Sequence, residues 1–106
     1  MTKKSEIQRF CEALAAAFRP KRIILFGSYA RGMPGKDSDV DLLVAMPGNQ
    51  GGPLIADRMI EQLQPRFALD LIVKSEKDIA RRLKQDDFFL HQAMREGQVL
   101  YEAPHA

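Results

Sequence analysis

The chain has 106 residues, which fits one compact domain, residues 1–106, and leaves no room for two. Apolar residues make up 45% and charged residues 28%, the balance of a soluble globular protein with a real core. A net charge of +2, carried by scattered basic residues, argues against non-specific DNA binding, and no direct nucleic-acid contact is expected; a mildly basic surface still attracts a polyphosphate.

Met1-Thr2-Lys3-Lys4 leads into a polar segment without a signal-peptide core, and no stretch has the length of a membrane span. A reducing cytoplasm is the expected location. The single cysteine, Cys11, lies in an apolar helical stretch and reads as core packing rather than as a reactive thiol.

Ile7, Phe10, Cys11, Leu14 and Phe18 recur at helical spacing, which predicts a helix over 5–18 with Ser5 as N-cap. Arg19-Pro20 ends it, because the residue before proline is pushed out of the helical region. Residues 22–26, RIILF, form a short apolar run that reads as a strand buried on both faces. After Gly27-Ser28 a helical turn is predicted over Tyr29-Ala30-Arg31, then a loop over 32–38 rich in turn formers. Residues 39–45, DVDLLVA, read as the second strand. The loop 47–53 contains three glycines, which argues for mobility and against a packed role.

Residues 54–64 predict a helix with Leu54, Ile55, Met59, Ile60 and Leu63 inward and Pro65 closing it. Leu69-Asp70-Leu71-Ile72-Val73 is the third strand. Ser75 opens a further helix as N-cap, with Asp78 three residues on in a near capping box, and this helix ends near Lys84. Another runs from about Asp86 to Arg95, with Gly97 placed as its C-terminal cap. Residues 98–102 form an expected edge strand. The order α-β-α-β-α-β-α-α-β predicts an α+β (α/β) domain: a small mixed sheet packed with helices.

Three features carry chemistry. Gly27-Ser28 follows a buried strand and opens a helical turn. Backbone N–H groups at such a turn are unpaired and favour phosphate, Gly27 lets the backbone come close to a ligand, and Ser28 adds a hydroxyl donor. Alone, that is a weak signal. Asp39 and Asp41 flank Val40 on one strand, so their side chains point to one face, with Cα atoms roughly 6.6–7 Å apart. Beyond them the strand is apolar on both faces. Two carboxylates there repel and resist desolvation unless a divalent cation joins them, and oxygen-only ligands point to Mg²⁺ or Mn²⁺ rather than zinc. Asp70 lies inside the third apolar run, where an acid is expensive unless paired. If that strand lies beside 39–45, Asp70 completes a three-carboxylate cluster of the kind that serves two-metal phosphoryl transfer.

Gly27-Ser28, ten residues, then Asp39-Val40-Asp41 resembles the GSx10DxD signature of the DNA polymerase beta-like nucleotidyltransferases. The run GSYARGMPGKDSDVDLLV, with Asp70 in LDLIV and the ending REGQVLYE, resembles the minimal nucleotidyltransferases, small prokaryotic proteins usually encoded beside a HEPN-domain partner. The resemblance covers nearly the whole chain. It implies the polymerase beta-like nucleotidyltransferase fold and assigns NTP phosphates to Gly27 and Ser28. Metals fall to Asp39 and Asp41, and the metal near the nucleophile, with help in taking its proton, to Asp70. Arg31 supports the phosphates. Two Mg²⁺ ions and ATP are the implied cofactor and substrate. In some toxin–antitoxin modules of this type the nucleotidyltransferase moves AMP from ATP onto a tyrosine of the HEPN toxin and silences it, and the small size of the chain fits that role. The same chemistry on a small molecule such as an antibiotic, or neutralisation by binding alone, are the alternatives.

Taken singly, these residues have plainer readings: a turn for Gly27-Ser28, turn hydrogen bonding for Asp39 and Asp41, a salt bridge to Arg66 for Asp70. His91 reads as a helix-surface residue and His105 as part of the tail. Tyr29 and Tyr101 read as packing residues, and Arg81, Arg82 and Lys84 as a solvated face. Phe88-Phe89-Leu90 is core or partner interface.

Overall fold

The structure is a computed structural model and describes residues 1–104. Its elements are α1 (Lys4–Phe18), β1 (Arg22–Phe26), α2 (Gly27–Ala30), β2 (Val40–Met46), α3 (Pro53–Leu63), β3 (Leu69–Ser75), α4 (Glu76–Lys84), α5 (Phe88–Glu96) and β4 (Gln98–Glu102). The four strands form one sheet in the order β3-β2-β1-β4. β1 is antiparallel to both β2 and β4, while β2 and β3 run parallel, so the expected small mixed sheet is present.

The central strands β1 and β2 are apolar on both faces because helices cover both faces. On one side, Ile23, Leu25, Val40, Leu42, Val44 and Met46 meet Ile7, Phe10, Cys11 and Leu14 of α1 and Met59 of α3. On the other, Ile24, Phe26 and Leu43 meet Leu90 and Ala93 of α5, with Ile72 and Leu83 packed at the margin. Each fully buried aliphatic side chain contributes roughly 1.5–3 kcal/mol relative to exposure. Cys11 is fully buried, and burial pushes its thiol up to about 12, so it packs as a hydrophobe. Tyr29 and Tyr101 pack against the first cluster, as expected, and the Tyr29 hydroxyl accepts from the Thr2 N–H at 3.0 Å.

Several sequence expectations need correction. α1 begins at Lys4 after Lys3, so Ser5 lies inside the first turn and does not cap; Arg19 closes the helix in the left-handed region, its N–H donating to Ala15 O. β2 begins at Val40, which leaves Asp39 just outside it. α3 runs from Pro53 to Leu63 and closes at Gln64 rather than at Pro65. Met59 is buried and Ile55 and Leu63 pack half-buried against the core, as expected, with Ala56 buried beside them, while Leu54 (77% exposed) and Ile60 (38%) face outward.

The loop 47–53 is packed at Gly51 and Gly52, where Gly52 N–H donates to Val73 O at 2.9 Å and a Cβ on Gly51 would lie 2.8 Å from Ser75 N, while Gly48, Asn49 and Gln50 are exposed. Gly97 is extended (φ −74°, ψ 160°) and makes no left-handed cap. It is small because α5 turns straight into β4, and a Cβ there would meet Ala93 O at 2.4 Å and Ile24 Cγ2 at 2.5 Å.

The capping expectation for Ser75 holds, its Oγ accepting from Asp78 N at 3.0 Å; Asp87 caps α5 in the same manner from Leu90 N. His91 is half-buried, its ring 2.8 Å from Leu83 O, rather than a plain surface residue. His105 lies outside the described residues.

Candidate active site

The antiparallel register of β1 and β2 sets Phe26 opposite Asp41. The next residue, Gly27, leaves the sheet with φ +73° and starts the single turn of α2. This position is glycine for two reasons. An L side chain is strained at that φ, and a Cβ there would sit 2.1 Å from Asp41 Oδ2. The Asp41 carboxylate therefore lies directly against the Gly27 backbone. Ser28 follows, half-buried, on the same turn. Arg31 ends it, and its Nη1 lies 3.5 Å from Glu96 Oε2 at the end of α5; both side chains are at least one-third exposed.

Strand alternation aims the acids. Asp41 shares a face with Leu43, and Asp70 with Ile72, so both carboxylates project on the α4/α5 side of the sheet, beyond the edge of the apolar cluster there. The parallel register pairs Asp41 with Asp70 directly across neighbouring strands, whose backbones lie about 4.8 Å apart. Asp39 precedes β2 with the same parity.

Asp41 is half-buried, whereas Asp39 and Asp70 are exposed. Asp70 thus sits on an edge strand open to solvent, not in the middle of a buried one as its apolar flanks suggested. Nor does it pair with Arg66 among the described residues.

Burial raises the Asp41 carboxyl above the usual carboxylate range; the charges of Asp70 and then Asp39 push it the same way, and Arg31 opposes them. Asp70, Asp39 and Arg31 therefore lie close enough to Asp41 to act on its charge. Among the described residues no three acidic, histidine or cysteine side chains are gathered tightly enough to close a metal cage as they stand. The donor chemistry, carboxylate oxygens only, fits a hard divalent cation such as Mg²⁺ or Mn²⁺.

Two cavities border the site. One of about 180 Å³ lies beside Gly27 and Arg31, against α5. The other, about 750 Å³, follows the outer edge of β3 from Leu69 and Asp70 to Ser75. Glu96 escaped the sequence reading: it lies 65 residues from Arg31, and no local pattern marks the pair.

The profile of the family described as Polymerase beta, Nucleotidyltransferase matches residues 7–106. A chain of Methanocaldococcus jannaschii, provisionally named a protein adenylyltransferase, is 33% identical over 104 residues, covering 95% of this chain and all of that one. A provisionally assigned nucleotidyltransferase from Sulfolobus solfataricus superposes with TM-score 0.64 at 21% identity, over 92% of this chain and 78% of the other. A toxin–antitoxin structure with AMP-PNP has TM-score 0.57 at 23% identity, covering 91% of this chain and 73% of that one. A mutant of the toxin–antitoxin MntA–HpeT has TM-score 0.55 at 21% identity, with the same coverage. At these identities the three structures speak for the fold.

Proposed function

Because the chain belongs to the polymerase beta nucleotidyltransferase family and is a nucleotidyltransferase, we propose that it moves AMP from ATP onto a hydroxyl of a partner protein, a tyrosine of a HEPN-type toxin. One observation carries the reading: Asp41 lies in register with Asp70 on the neighbouring strand while its carboxylate rests on the Gly27 backbone. A phosphate cradle and an acid pair thus share one wall. The adenylyltransferase name of the M. jannaschii relative and the toxin–antitoxin setting of two fold neighbours support the acceptor assignment.

In this reading the Gly27 and Ser28 N–H groups, the Ser28 hydroxyl and Arg31 hold the triphosphate. Asp39, Asp41 and Asp70 would hold Mg²⁺, which neutralises the triphosphate and the departing pyrophosphate when bound. The acceptor enters along the groove beside β3, which reaches Asp70. Its oxygen attacks the α-phosphorus as the bond from that phosphorus to the β-phosphate bridging oxygen breaks. Pyrophosphate leaves with the bonding electron pair, and Asp70 takes the hydroxyl proton. Burial, and then the charges of Asp70 and Asp39, raise the Asp41 carboxyl, and a cation held among the three acids would offset that repulsion.

No helix of the described residues is long and apolar enough to cross a membrane. The test is incubation of the chain with a HEPN-domain partner, Mg²⁺ and ATP labelled at the α-phosphate, followed by mass spectrometry of the partner. An AMP adduct on a tyrosine is the expected result. Neutralisation of the partner with no adduct would establish binding alone, and label on an antibiotic hydroxyl instead would reassign the acceptor.

A further inference from the structure

We propose that the small cavity between α2 and α5 is an adenine-binding pocket, in which Phe89 stacks on the base and Gln92 reads its edge; the inference rests on the nucleotidyl-transfer reading above. The cavity shares Gly27 and Arg31 with the phosphate cradle, and Phe26, Phe89, Gln92 and Glu96 complete its useful walls. Its volume of about 180 Å³ falls below the roughly 300–1,000 Å³ of pockets that enclose whole drug-sized ligands, and suits a single planar ring system with the sugar and phosphates left outside.

Phe89 is otherwise hard to account for. Its neighbour Leu90 is fully buried in the core, yet Phe89 is 41% exposed. The ring is fixed edge-to-face on Phe26, with centroids 5.4 Å apart and planes at 86°. Phe26 immediately precedes Gly27. A rigid aromatic ring is thereby set one residue from the phosphate-binding turn, with much of its surface uncovered. A partly exposed aromatic ring lining a slot of base size is the kind of group a nucleobase stacks on.

Gln92 stands three residues along α5, on the same side of the helix as Phe89. Its amide offers one acceptor and two donors. That pattern matches the N6 amino group and N7 of adenine, whereas guanine shows two acceptors at the same edge. Gln92 is exposed and its side chain makes no hydrogen bond among the described residues, so it is free to serve. Arg31, paired with Glu96 at the rim, then lies between base and triphosphate.

Calorimetric titration with ATP, GTP and inorganic tripolyphosphate, each with Mg²⁺, tests this. The native chain should bind ATP more tightly than tripolyphosphate and more tightly than GTP. Phe89→Ala should lower ATP affinity on the order of tenfold and leave tripolyphosphate affinity unchanged. Phe89→Leu, which keeps the apolar contact with Phe26 but has no π face, should show the same selective loss, and Phe89→Tyr should restore binding. Gln92→Leu should erase the preference for ATP over GTP. Unchanged ATP affinity in both Phe89→Ala and Phe89→Leu overturns the pocket, as does a parallel fall for ATP and tripolyphosphate in Phe89→Leu. A native chain that binds tripolyphosphate as tightly as ATP also overturns it while leaving the transfer reading standing; one that binds neither removes both.

Discussion

Gly27→Ala isolates the close approach on which the site is built. Gly27 (φ +73°) and Gly32 (φ +71°) share a left-handed backbone, but a Cβ on Gly32 meets nothing within 4 Å, whereas one on Gly27 falls 2.1 Å from Asp41 Oδ2. Both alanine variants carry the backbone strain of about 1–2 kcal/mol. A loss of that size lowers Tm by roughly 5–15 °C in a chain of this length. Only Gly27→Ala adds a collision.

The atom it strikes is the tip of a side chain, so relief comes from swinging the carboxylate away rather than from moving the sheet. Ordinary contact begins at 3.4 Å, so the Asp41 oxygen must shift by about 1 Å or more. A misplacement of that order at a reacting centre lowers rate on the order of a hundredfold. The two variants should therefore melt within a few degrees of each other, while transfer of AMP from labelled ATP survives in Gly32→Ala and falls about a hundredfold in Gly27→Ala. Equal transfer rates, measured below both melting temperatures, would refute the argument that Gly27 is kept for Asp41.

Asp41→Asn should abolish transfer without destabilising the metal-free protein. Burial, Asp70 and Asp39 raise the carboxyl, so the folded state holds its proton more tightly than the unfolded chain. This residue's contribution then falls as pH rises from the unfolded value near 3.9 through the higher folded one; urea denaturation at neutral pH without metal should show Asn equal or better. Asp78 has the opposite sign. Hydrogen bonding to Arg81 and then Arg82 holds its carboxyl below the ordinary range, so it stabilises above the unfolded value and that support is lost as pH falls through the folded one. Asp78→Asn should flatten the acid limb of a stability-versus-pH curve; an unchanged limb would show the cluster to be idle. Leu42→Ala, at a fully buried position in the centre of β2, should lose about 2–5 kcal/mol in chemical denaturation. A loss below 1 kcal/mol would mean that the core between α1 and the sheet refills easily.

Much of the fold was legible because it rests on local periodicity. The RIILF and DVDLLVA runs announce two central strands, and the helical spacing of Ile7, Phe10, Cys11 and Leu14 announces α1. The cap at Ser75 was readable from four residues. Misreadings arose where a residue's fate depends on what packs against it. Leu54 and Ile60 look like core by composition, but α3 turns Ala56 inward beside the expected Ile55, Met59 and Leu63 and leaves those two outside. The glycines of 47–53 look mobile, yet Gly51 is held against the backbone of β3. Gly97 looks like a cap, and is a close contact between α5 and β1.

The spacing of Gly27-Ser28 to Asp39 and Asp41, and the presence of Asp70 in a later apolar run, lay in the linear sequence, because a turn after a strand and alternation along a strand are local properties. Which strands are neighbours is not local. Only the assembled sheet, with β3 parallel to β2, decided that Asp70 stands in register with Asp41. The same packing brought Glu96 to Arg31 and Phe89 to Phe26 across more than sixty residues of chain. Side-chain pattern dictates which face of an element is buried; the partner across that face is chosen by how all the elements fill space together.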